Sequence, residues 1–203
     1  ANTTGNYNTG VGASALAANT TASNNTAVGY QAGLALTTGA NNVAVGFEAL
    51  STETAYSENT AVGYRALKVN AGGYSNTSIG NDTLLANTTG TNNTAVGHDA
   101  LIANTTASNN TAVGYNSLAA NTTGSENTAV GRNALDANTT GTNNVAMGNG
   151  ALGANTTANY NIGIGDAAGG SLTTGTTNTF VGSYAGDATD DGGSNTAVGY
   201  LSL

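Results

Sequence analysis

The sequence predicts an all-β chain, a parallel β-solenoid or β-roll of twelve 17-residue coils, and three observations carry that reading. A glycine preceded by an aliphatic residue stands at Gly12, Gly29, Gly46 and onward to Gly199, each step being 17 residues with no insertion or deletion. The residues before it read Asn-Thr-Ala-Val, an alternating, β-branched run closed by Asn and Gly, which is strand chemistry between turn residues. Seventeen residues are also too few for a helix-turn-helix repeat, which needs more than about 30, and Gly, Asn and Thr make poor helices.

The unit from Asn110 to Glu126, NTAVGYNSLAANTTGSE, is close to the consensus. It predicts one strand over Asn-Thr-Ala-Val, a second short strand through Ala-Leu, and a turn at Asn-Thr-Thr-Gly. Coils stacked at the inter-strand spacing of ~4.8 Å would build a rod of roughly 57 Å. Residues 1–203 form one repeat array, with no linker and no second domain.

Stacking turns each position of the unit into a column. The Val column (Val28, Val62, Val113) and the residues two before it (Thr26, Thr60, Val43) share one face of an extended strand. With Leu50, Leu67, Leu101 and Leu118 they are expected to form a thin core. Ala27, Ala44, Ala61, Ala95 and Ala112 fall on the other face, which predicts a flat apolar surface for lateral association, interrupted at Phe180.

An Asn opens every coil, at Asn8, Asn25, Asn42, Asn59, Asn76, Asn93, Asn110, Asn127, Asn144, Asn161, Asn178 and Asn195. Stacked amides bond from coil to coil and fix register where apolar burial is thin, so these residues read as a structural Asn ladder rather than a ligand site.

Composition excludes several functions. Leu, Val, Ile and Phe make up only about 16% of the chain, below the ~20% at which a globular core becomes doubtful, so order must come from arrangement. Three cations against 11 acidic residues give a net charge of −8, which cannot neutralise a run of phosphates or dock on an anionic lipid surface. There is no Cys, hence no disulfide framework or thiolate chemistry. No apolar run nears the ~18 residues of a membrane span. The chain opens on Ala1-Asn2-Thr3-Thr4 without Met or signal peptide, which reads as a processed or excised product.

The copies of Asn-Thr-Ala-Val-Gly followed by an Ala-rich stretch, as in Asn59 to Leu67 (NTAVGYRAL), resemble the head repeats of trimeric autotransporter adhesins and similar repeats of phage tail fibres. The resemblance covers almost the whole chain. It implies a trimeric, left-handed β-roll outside the cell, at a cell surface or on a virion, used for attachment.

Few side chains suggest chemistry. The column after the glycine, with Tyr30, Phe47, Tyr64 and Tyr115, offers aromatic rings to a surface glycan or receptor; stacking between coils, with Arg132 over Tyr115, explains the same row without a ligand. The next column sets Arg65 between Glu48 and Asp82. His98 beside Asp99 has no nucleophile in a strand-to-helix setting. Asp187, Asp190 and Asp191 offer oxygen ligands for Ca²⁺ in a spacing that fits neither the EF-hand nor the G-G-x-G-x-D roll pattern, and read as a solvated turn. Asn-Thr-Thr sites such as Asn104-Thr105-Thr106 match the N-glycosylation acceptor as a by-product of the repeat.

The expected function is therefore a non-enzymatic structural rod, without cofactor or metal, that self-associates as a trimer or as an end-to-end filament of uncapped coils. The alternative is an ice-binding solenoid using flat Thr and Ala columns. Adjacent threonines such as Thr122 and Thr123 point to opposite sides of a strand, which disfavours it.

Overall fold

The computed structural model describes residues 2–203. It contains no helix among those residues and has twelve three-residue strands, from β1 (Thr9–Val11) through β7 (Thr111–Val113) to β12 (Thr196–Val198). All lie in a single sheet in sequence order. Each pairs in parallel with the next in an unbroken register of 17, as in Thr111↔Thr128, Ala112↔Ala129 and Val113↔Val130. The chain is thus a β-solenoid.

Coil-to-coil bonding continues beyond the strands. Around one coil, Asn116 N donates to His98 O at 3.0 Å, Leu118 N to Ala134 O at 3.0 Å, Ala120 N to Asp136 O at 3.0 Å and Thr122 N to Thr139 O at 2.9 Å. These bonds leave few backbone donors without a partner, although each strand is short.

The repeating glycine has two reasons to be invariant. At Gly114 φ is +137°, a region that side chains rarely enter. A Cβ there would also stand 2.5 Å from the carbonyl oxygen of Gly131 in the next coil.

Two expectations need correcting. No second strand forms: past the glycine the backbone enters the left-handed region twice, at Asn116 (φ 54°) and Leu118 (φ 52°), so alternation of faces ends at the strand. Ser117 and Leu118, adjacent in sequence, therefore both point inward and are buried.

The faces of the first strand are also inverted. Ala27, Ala44, Ala61, Ala95 and Ala112 are fully buried and the flanking Val and Thr columns face out. The cause is the thickness of the coil. A three-residue strand sends one side chain in and two out, and the opposite wall is close: in the coil of Gly80 the inward Ser78 Oγ is 2.7 Å from Thr83 Oγ1. Where the coil also carries its core leucine only a small residue fits that gap, so Ala goes in and Val goes out. Phe180, in the same column, is fully buried rather than opening the surface.

The core is thus two Ala columns and one Leu column. Eight buried leucines, Leu16 and then Leu50 to Leu152, run up it, each worth roughly 1.5–3 kcal/mol on burial. In two coils the leucine moves three residues on. Gly33 is followed by buried Leu36, and Gly169 by buried Leu172. A Cβ on Gly33 would lie 3.0 Å from Leu36 Cδ1, so the later leucine fills the vacated space.

Candidate functional site

The first Asn column is held by backbone and side chain together. Asn110 N donates to Asn93 Oδ1 at 3.0 Å, and Asn127 N to Asn110 Oδ1 at 2.9 Å. The same link joins Asn25 to Asn8, Asn42 to Asn25, Asn59 to Asn42, Asn76 to Asn59 and Asn93 to Asn76 in the lower coils. Above them it joins Asn144, Asn161, Asn178 and Asn195 to the coil below each. From Asn25 to Asn178 the column is buried.

A second ladder was not foreseen. From Asn19 on, the Asn of each Asn-Thr-Thr turn is also buried, and Asn87, Asn104, Asn121 and Asn138 each donate Nδ2 to the Oδ1 of the coil before, at 2.8–3.1 Å. The two ladders meet on one atom: Gly124 O accepts Asn110 Nδ2 at 2.9 Å and Asn121 Nδ2 at 2.9 Å, filling both lone pairs. The signal lay in the sequence as an Asn recurring every 17 residues at the turn.

Glu53 terminates this ladder. It is fully buried, yet its Oε1 accepts the backbone N–H groups of Thr54 (2.7 Å), Ala55 (3.0 Å) and Tyr56 (2.9 Å), and Oε2 accepts Asn70 Nδ2. Four donors converge on one carboxylate, which is how a buried charge is tolerated. Below it stands Leu36, which has no amide to offer, and Asn19 beyond has both amide atoms buried and unpartnered.

The aromatic column is a stack. Tyr30 and Phe47 lie 5.2 Å apart at 17°, Phe47 and Tyr64 5.4 Å apart at 14°. The guanidinium carbon of Arg65 is 5.0 Å from the Tyr64 ring centre. Both faces of Phe47 are therefore covered by its neighbours, and rings stacked this way offer solvent their edges. Tyr115 stands apart from these three, tilted against His98 at 5.5 Å.

The charged groups clasp neighbouring coils. Arg65 binds Asp82 through two nitrogens at 2.8 and 2.7 Å, and this pairing holds its guanidinium above its ordinary pKa. Glu48 is taken by Lys68 at 2.6 Å rather than by Arg65. Arg132 does not cover Tyr115 but donates Nε to Asn149 Oδ1 at 3.0 Å, and Asn149 Nδ2 donates to Asp166 Oδ1 at 2.9 Å. A hydrogen bond to Asp166 raises the pKa of the Tyr184 hydroxyl. His98 Nδ1 is 3.0 Å from Asp99 Oδ2.

Asp187, Asp190 and Asp191 do not converge; among the described residues no three His, Cys, Asp or Glu side chains gather where they would hold a metal. No pocket opens on the surface of the described residues, and no helix there is long and apolar enough to cross a membrane.

The outward face of the sheet runs through all twelve strands. Its two columns hold Val, Ile or Met at one position and Thr, Val or Ile at the other in all twelve strands. None of the chain's charged residues falls on it. No family model, curated protein or solved structure matches the chain.

Proposed function

We propose that the chain is a non-enzymatic structural rod of an extracellular attachment fibre, and that its outward Val/Thr face packs against further copies of itself. The carrying observation is that face: twelve strands of aliphatic and Thr side chains, without one charge, half-exposed to exposed along its whole length. A partner that follows it must share its axial repeat of ~4.8 Å over twelve strands, and a second copy of this chain does so by construction. The resemblance of NTAVG to adhesin and tail-fibre repeats supports a trimer and an outside location.

Light scattering on the wild type should give a mass above the monomer's 19.6 kDa. Val113→Glu should return the monomer with unchanged circular dichroism, while Thr106→Glu, exposed elsewhere on the coil, should leave the oligomer intact. A wild type that stays monomeric at high concentration overturns the reading.

One observation favours ice binding by the same face. The hydroxyls of Thr105 and Thr122 are spent on carbonyls of the next coil, whereas those of the strand threonines Thr60, Thr94 and Thr111 face out at regular spacing beside Val. Thermal hysteresis in the monomer, abolished by Val113→Glu, would establish it in place of association. The buried Ala columns take no part.

A further inference from the structure

The acceptor tripeptide Asn-x-Ser/Thr occurs twelve times in the chain, and the fold divides the sites without intermediates. Asn76 of the first ladder is fully enclosed. So are Asn19, Asn87, Asn104, Asn121, Asn138 and Asn155 at the second-ladder position, none more than 1% exposed. The other five, Asn2, Asn24, Asn81, Asn92 and Asn109, are exposed. Asn24, Asn92 and Asn109 occupy one corner of the coil with φ of 59°, 57° and 62°, a left-handed conformation that Asn adopts more readily than most residues.

The chemistry of the modification meets this division at one atom. Transfer of an oligosaccharide from a lipid pyrophosphate joins the sugar's anomeric carbon to Asn Nδ2; the carbon–oxygen bond to the pyrophosphate breaks, and one amide proton is lost. Asn104 Nδ2 spends one hydrogen on Asn87 Oδ1 at 2.8 Å and the other on Ala107 O at 3.1 Å. Asn121 does the same with Asn104 Oδ1 at 3.1 Å and Gly124 O at 2.9 Å. A glycan on either nitrogen removes a donor from a buried pair and puts a sugar where there is no room.

We infer that coil closure and N-glycosylation compete for the same amide nitrogens: the exposed corner asparagines are glycan sites compatible with the folded rod, and the ladder asparagines are sites whose occupation prevents it from forming. Coils closed before transfer escape modification, and chains modified first are lost.

The test is secretion of the full chain from a eukaryotic cell whose donor is a dolichol-pyrophosphate oligosaccharide, with and without an inhibitor of donor synthesis. Protease-resistant and protease-sensitive fractions are then mapped by glycopeptide mass spectrometry. Glycan is expected at Asn92 and Asn109 in the resistant fraction, and at Asn104 and Asn121 in the sensitive fraction alone. Replacing the exposed acceptor threonines Thr21, Thr89, Thr106, Thr123, Thr140 and Thr157 by Ala leaves every ladder amide in place, and should raise the resistant fraction several-fold unless the inhibitor is present. Resistant rods carrying glycan on Asn104 or Asn121, no glycan on the corner asparagines, or no gain from the Thr→Ala set would each overturn the inference.

Discussion

Phe180 lies against the backbone of Gly186, so closely that a Cβ on that glycine would collide with its ring. Gly186 stands where most coils carry the core leucine, and Phe180 where most carry the core alanine. A Cβ on Gly169, one coil earlier, would also meet the ring, 2.7 Å from Phe180 Cδ2. One aromatic side chain thus replaces volume removed at two leucine positions, and the coils keep their length and path.

That relationship is testable by a mutant cycle. Phe180→Ala should cost about 3–5 kcal/mol through the cavity it leaves, and Gly186→Leu should be at least as damaging through overpacking and its φ of 69°. Combining them restores the common Ala and Leu at their positions, and the double variant should melt above either single one. Strict additivity of the two losses would refute the compensation.

Ser78 and Thr83 make the corresponding polar exchange, both fully buried and their hydroxyls 2.7 Å apart. Ser78→Ala should cost about 1–2 kcal/mol because it leaves Thr83 Oγ1 only its 3.3 Å bond to Gly80 O and takes a donor from Thr83 O. Ser78→Ala with Thr83→Ala should be near neutral in denaturant melts, since it returns the coil to the two-alanine pattern.

Glu53→Ala strips four neutral donors of their acceptor, and should cost about 3–5 kcal/mol through the buried N–H groups left unsatisfied. Glu53→Asn should recover part of this by restoring the ladder's usual residue, with a shorter reach to the three backbone N–H groups. Urea midpoints of the three proteins would rank wild type, Asn and Ala in that order.

Asp136 gives a pH dependence of known sign. Desolvation raises its pKa above the ordinary 3.8, against smaller lowering by backbone hydrogen bonds. A carboxyl raised on folding favours the native state below its unfolded pKa, and that contribution is lost as pH climbs through the folded value. Asp136→Asn should therefore raise the melting temperature at neutral pH and lose the advantage near pH ~3.5. An equal gain at both pH values would exclude ionisation as the cause.

The period was the legible part of this chain, because Gly12 to Gly199 cannot keep a spacing of 17 unless every coil has the same path. Which strand face turns inward was not. Val113 outranks Ala112 in any transfer scale, and the gap that reverses their order is set by the opposite wall at Ser117, which two left-handed residues bring round. Those φ values fall on Asn116 and Leu118, and nothing about a leucine announces that conformation. The doubled Asn of Asn92-Asn93 and Asn109-Asn110 did hold a readable clue: the first residue turns the corner and the second enters the ladder.

The bonds between coils run along the rod, while the chain runs around it. Tension on the rod therefore opens the stack at a coil boundary instead of stretching the polypeptide. Each coil that comes free releases seventeen residues, roughly 55–60 Å of contour, in place of the ~4.8 Å it occupied. A rod under load would thus gain about 50 Å for every coil surrendered, more than ten times the rise that coil had occupied, with the ladders of the remaining coils undisturbed, and would yield by stages where a rigid strut would snap.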